Sequence, residues 1–146
     1  RKSNDIFHSI KRTKWFTDKS LKNSNQISPN TIYKKYHIPY FVKDKDRDYF
    51  IALDEINRMA YYYKEIYGNV DKIKNTIFVK YEDLIKNPHK EATTLAKKLN
   101  LSFGPTTKKI INTVKLRSVD RRKDLVTLLN PELRKKVLEL ENKMYN

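Results

Sequence analysis

Residues 76–101 read TIFVKYEDLIKNPHKEATTLAKKLNL. The run Ile77-Phe78-Val79 is apolar and β-favouring, and it predicts a short buried strand over 76–81. It stops at Tyr81-Glu82-Asp83-Leu84. A second pattern then begins: Asn87 as N-cap, Pro88 in the first turn, and Ala92, Leu95, Ala96 and Leu99 on one face. That spacing predicts a helix over 88–99, closed by Asn100 in the left-handed cap position. A strand that hands over to a helix is the repeating unit of α/β architecture, and ligands in such folds sit at the carboxyl ends of strands. Core packing does not ask for a tyrosine and two acids at that junction, so the stretch poses a ligand question.

Outward from this stretch the chain reads as mostly helical. Ile6 and Ile10, with Phe7 and Trp15 beside them, predict a basic amphipathic helix over 5–16 that Ser3 or Asn4 could cap. Residues 17–46 predict a long irregular segment with one ordered piece around Ile32–Tyr36. Phe50, Leu53, Ile56, Ala60, Tyr63 and Tyr67 repeat at three and four residues, which predicts a single helix over 47–67 ended by Gly68 in a left-handed cap. Pro105–Lys115 predicts another helix, Ser118–Lys123 a basic loop, and Asn130-Pro131-Glu132 the start of a last helix carried by Leu133, Val137, Leu140 and Met144. The expectation is a single domain over 1–146 with about six helices and one or two strands.

The composition excludes several chemistries. There are only two glycines, Gly68 and Gly104, whereas phosphate loops of the Walker or dinucleotide type need several, closely spaced. There is no cysteine, so neither a disulfide framework nor a thiolate metal site. The three histidines, His8, His37 and His89, lack metal-ligand spacing, and no metal is expected. No apolar run is long enough to span a membrane. The formal net charge of +15 suits an anionic partner, although a composition rich in Lys, Asn, Ile and Tyr accounts for the excess equally well. The segment 61–67, YYYKEIY, reads as core plus an exposed aromatic rim.

The stretch VKYEDLIKNPHKEATTLAKKLNL resembles the strand–turn–helix of sulfotransferases that use 3′-phosphoadenosine-5′-phosphosulfate (PAPS). Asn100 stands where that family has glycine, and Lys98 where it often has phenylalanine. The N-terminal stretch RKSNDIFHS places Arg1, Asp5 and Ser9 at the spacing of the family's Arg-to-Ser signature, with Ser3 in place of its proline. The C-terminal LLNPELRKKVLEL is similar to the family's final helix, so the resemblance covers most of the chain. It implies an α/β three-layer fold of the P-loop nucleotide-kinase-like kind. It further implies that Arg1 and Ser9 bind the 3′-phosphate of PAPS, that Tyr81 packs near the adenine, and that Arg121, Arg122 and Lys123 take the place of the family's Gly-rich cofactor loop.

The physical chemistry of these residue types fits those roles. A guanidinium offers a fork of donors to phosphate oxygens. A tyrosine ring offers a flat face and one hydroxyl to a purine. Glu82 and Asp83 are expected to cap the turn. The family's 5′-phosphosulfate loop and its usual catalytic base have no counterpart here. The segment is therefore expected to supply nucleotide contacts, to partner an N-terminal half of the same domain, and to be inactive alone; the acceptor would be a hydroxyl or an amine. The competing expectation is a basic helical module that binds nucleic acid.

Overall fold

The computed structural model describes residues 2–23, 30–75, 77–113 and 123–145. In chain order they form α1 (Ser3–Thr13), α2 (Asp18–Leu21), β1 (Asn30–Tyr33), β2 (Tyr36–Pro39), α3 (Arg47–Ala52), α4 (Glu55–Tyr67), α5 (Tyr81–Lys86), α6 (Pro88–Lys98), α7 (Pro105–Asn112) and α8 (Pro131–Tyr145), with three short 3-10 turns. The chain is mostly helical, with one antiparallel two-stranded sheet among the described residues. It divides into two compact units: Lys2–Ile73 with Lys123–Asn146, and Lys74–Arg122.

The larger unit holds the main core. Phe7, Phe16, Leu21, Ile38, Phe50, Met59, Tyr61, Tyr63, Leu133 and Val137 are almost fully buried. Each such side chain contributes roughly 1.5–3 kcal/mol of transfer free energy. The rings pack edge to face, as in Phe7 against Tyr63 at 5.9 Å and Phe16 against Phe50 at 6.3 Å. Tyr61 and Tyr63 are core and Tyr67 stacks on Tyr63, so the tyrosine-rich helix face packs as its spacing predicts.

Several local expectations are corrected. Neither Ser3 nor Asn4 caps α1; the N-cap is Lys2, without a side-chain bond. The Ser3 N–H instead donates to the Glu141 carboxylate of α8 at 2.5 Å, and Asn4 Oδ1 accepts from the Leu125 N–H at 2.9 Å. A distant carboxylate thus satisfies one N–H of the helix start, and Asn4 in turn satisfies a distant N–H, which no local pattern encodes. The helix ends at Lys14, in the left-handed region, ahead of Trp15.

The helix expected over 47–67 is two helices. Leu53 is extended, and Asp54 restarts the chain as N-cap, accepting from the Asn57 N–H at 2.8 Å. Arg58 secures the break. Its guanidinium donates to the carbonyls of Phe50 (3.2 Å), Ile51 (2.6 Å) and Phe16 (3.0 Å), and to Asp18 Oδ1 (2.7 Å). Two of those carbonyls belong to the last turn of α3, where an orphaned acceptor and the negative helix end both favour a cation. Gly68 is right-handed (φ −66), not left-handed; glycine is required there because a Cβ would run into the Lys64 carbonyl oxygen.

The ordered piece expected around Ile32–Tyr36 is a hairpin, β1 with β2, inside the segment otherwise read as irregular. Tyr33 pairs with Tyr36 across the two-residue turn Lys34-Lys35, and both lysines have positive φ (47° and 68°). Such turns favour Asn-Gly, so a Lys-Lys pair gives no sequence signal. Asp48 holds the tip by accepting from Lys34 Nζ (2.8 Å) and the Tyr33 hydroxyl (3.2 Å).

In the smaller unit the expected strand over 76–81 does not form. Residues 77–80 carry no regular element, and Tyr81 is the first residue of α5. A strand exists only through hydrogen bonds to a neighbour, and none of the described residues provides one here. The caps of α6 are legible as expected, with one exception. Pro88 is at the first turn, but the Asn87 side chain makes no capping bond. Asn100 is left-handed (φ 53), with Leu101 N–H on the Ala96 carbonyl (2.8 Å) and Asn100 N–H on that of Lys97 (3.2 Å), a complete Schellman motif. Asn130 caps α8 through the Leu133 N–H (2.9 Å).

Candidate nucleotide-binding residues

Ser9 sits half-exposed on α1, between the buried Phe7 and Ile10. The apolar stripe that docks α1 on α4 turns positions 5, 9 and 12 outward, so Asp5, Ser9 and Arg12 share the open side. His8, also half-exposed, donates from Nε2 to the Lys123 carbonyl at 2.8 Å. That bond fixes the imidazole tautomer and brings Lys123 to α1 across 115 residues of sequence. The Lys123 side chain is exposed. Arg1, Arg121 and Arg122 lie outside the described residues. Of the residues singled out for the 3′-phosphate and the basic loop, Lys123 is bonded through its backbone carbonyl to His8, the residue before Ser9.

Tyr81 belongs to the smaller unit, with its ring 37% exposed. Glu82 and Asp83 occupy the first turn of α5. Acids are favoured at a helix N-terminus, by roughly 0.3–1 kcal/mol at exposed sites, and this accounts for their presence without catalysis.

The other histidines have structural partners. His37 Nδ1 donates to Asn30 Oδ1 across the hairpin (3.1 Å), and His89 to Asn112 Oδ1, tying the start of α6 to the end of α7. Among the described residues no group of carboxylates, histidines or cysteines could hold a metal ion, and no helix is long and apolar enough to cross a membrane.

Titration is shifted at the hairpin tip and at two tyrosines of α4. The hydrogen bond from Lys34 holds Asp48 below the usual carboxylate range, and the same contact raises Lys34. Burial, then the hydrogen bond to Asp46, pushes the Tyr61 phenol strongly up; burial also raises Tyr62. Two open clefts occur in the larger unit. One, of about 530 Å³, runs along α8 past Leu129, Arg134 and Leu138. The other, of about 420 Å³, lies at the α3–α4 break around Asp18, Glu55 and Arg58. Neither is lined by Ser9 or Lys123.

Sequence reasoning missed His8 as the anchor of Lys123 and Arg58 as the clamp of the α3–α4 break. A basic residue directly beside core positions Met59 and Ala60 is the one signal that pointed to Arg58. No family model, known protein or solved structure matches the chain.

Proposed function

We propose that the chain is the nucleotide-gripping portion of a PAPS-dependent sulfotransferase with a three-layer P-loop-like fold. The observation that carries this reading is the His8–Lys123 bond. It joins His8, the residue before Ser9, to the backbone of Lys123, and the resemblance assigns Ser9 and Lys123 to one nucleotide. The residues fit a phosphate chemically. Ser9 stands on the open side of its helix and the Lys123 ammonium is exposed, so a hydroxyl donor and a cation are both accessible.

In this reading Ser9 and Arg1 donate to the 3′-phosphate, while Arg121, Arg122 and Lys123 add positive charge around the nucleotide. Tyr81 offers its ring to the adenine. PAPS, when bound, supplies the sulfuryl group that passes to a hydroxyl or amine. This chain's part is to position the donor and to screen the charge on the leaving nucleotide. The partner is polypeptide that supplies the phosphosulfate loop and the base.

Calorimetric titration of the 146-residue chain with 3′-phosphoadenosine-5′-phosphate (PAP), adenosine-5′-phosphate and a single-stranded oligonucleotide, at several salt concentrations, tests the reading. PAP is expected to bind much more tightly than adenosine-5′-phosphate. Equal affinity for the two nucleotides removes the 3′-phosphate assignment. Oligonucleotide binding that outcompetes PAP and weakens steeply with salt favours the nucleic-acid module instead.

A further inference from the structure

The C-terminal end of α1 carries an exposed cationic cluster around the chain's single tryptophan. Lys11, Arg12 and Lys14 fall within four residues, Lys19 follows on α2, and all four are exposed. Between Asp5 and Asp18 the chain has no acid. Asp18 itself is paired with Arg58 at 2.7 Å. Among the described residues no carboxylate pairs with any of the four cations. The negative end of α1 accounts for Lys11 and Arg12. It does not account for Trp15, which is 45% exposed although tryptophan is a residue type that folded chains mostly bury.

The exposure is built into the turn. Lys14 is left-handed (φ 56), and its carbonyl accepts from the Thr17 N–H and from the Thr17 and Ser20 hydroxyls. Phe16 is almost fully buried and packs edge to face on Phe41 and Phe50, and its carbonyl accepts from Arg58 at 3.0 Å. The turn is thus fastened to the core through Phe16, while Trp15, its neighbour in the chain, stands in solvent.

We propose that this turn seats on an anionic lipid surface, with Trp15 at the boundary between headgroups and acyl chains and Lys11, Arg12, Lys14 and Lys19 on the headgroups. An indole has a large apolar body and one N–H, which suits that boundary. Lysine stems can lie along the acyl region while their ammonium groups stay in the headgroup layer. A nucleic acid fits less well, because single strands are held by several rings in succession and one ring stands in this turn. The inference uses neither Ser9 nor Lys123, and it stands whether or not the chain binds a nucleotide.

Trp15 is the only tryptophan, so its fluorescence reports on this turn directly. The full chain is mixed with vesicles of equal parts phosphatidylcholine and phosphatidylserine, and separately with vesicles of phosphatidylcholine alone. The anionic vesicles are expected to shift the emission to the blue and, when their acyl chains are brominated, to quench it; the neutral vesicles should do neither. In sedimentation with the anionic vesicles, the combined Lys11→Gln, Lys14→Gln and Lys19→Gln variant should bind about tenfold or more weaker, and Trp15→Ser should also bind more weakly. Combined Lys90→Gln, Lys97→Gln and Lys98→Gln, which removes the same charge from α6, should change binding less than about twofold. Far-UV circular dichroism confirms that the variants keep their helices. Three results overturn the proposal: neither blue shift nor quenching on anionic vesicles; equal losses from the two triple variants, which means adsorption by overall charge; or a single-stranded oligonucleotide that shifts Trp15 emission and displaces the chain from the vesicles, which assigns the turn to nucleic acid.

Discussion

His8 Nε2 lies 2.8 Å from the carbonyl oxygen of Lys123, so the N-terminal helix and the segment after the basic loop are held at one place. His8 is expected to matter to nucleotide binding through Lys123 rather than by touching the nucleotide. His8→Ala should weaken PAP binding by about 1 kcal/mol, the net value of one hydrogen bond. His8→Gln, which keeps a donor, should recover part of it. The adenosine-5′-phosphate affinity should barely change, and calorimetry of the two variants against both nucleotides checks this split.

Arg1→Ala should cost on the order of 2–4 kcal/mol of PAP affinity, the scale for losing a charge-assisted pair. Tyr81→Ala should cost roughly 1–2 kcal/mol, and Tyr81→Phe less, because the ring is kept. The 146 residues alone should not turn over PAPS; turnover in a radiolabelled sulfuryl-transfer assay would relocate the chemistry into this segment.

Arg58 is the position where one substitution should damage the fold most. Its side chain is 4% exposed and serves three carbonyls and Asp18. Arg58→Ala should destabilise by about 3 kcal/mol or more, because buried acceptors lose their donors. Arg58→Lys should recover little, since an ammonium cannot span that fork. Asp18 is 68% exposed, so Asp18→Asn should cost about 1 kcal/mol or less. Urea midpoints of the three variants give the order.

The hairpin tip should be improvable. Lys35 holds a positive φ of 68° with a side chain that gains nothing from it in the described contacts. Lys35→Gly should stabilise by about 1 kcal/mol by removing the left-handed penalty. Lys34 has the same backbone but keeps the bond to Asp48, so Lys34→Gly should gain less. Thermal melts distinguish the two.

The same tip sets a pH dependence at both extremes. Asp48 is depressed below its ordinary 3.8, so its contribution is present above that value and is lost as pH falls through the lowered folded pKa. Lys34 is raised above 10.5, so its contribution is present below that value and is lost as pH rises through the raised folded pKa. Tyr61, raised mainly by burial, adds to the alkaline loss once pH exceeds 10.0. Asp48→Asn should flatten the acid limb of the stability curve and reduce the Lys34 share of the alkaline limb.

The sequence alone determined those elements whose signals are complete within one or two turns. The bounds of α6, the left-handed cap at Asn100, the Asn130 cap of α8 and the buried tyrosine face of α4 follow from contacts three to five residues apart, which the chain carries wherever it goes. Tertiary structure decided the rest. The apolar stripe over 47–67 runs unbroken, yet the helix breaks at Leu53-Asp54, where Asp54 caps a new helix and Arg58 receives the freed carbonyls together with that of Phe16. The start of α1 is satisfied by Glu141, and the hairpin closes through Lys34-Lys35 because Asp48 waits beside it. The run Ile77-Phe78-Val79 is the counterpart. Its residues have strand propensity, but a β-ladder is a property of two segments, and propensity in one cannot supply the hydrogen-bonding groups of the other.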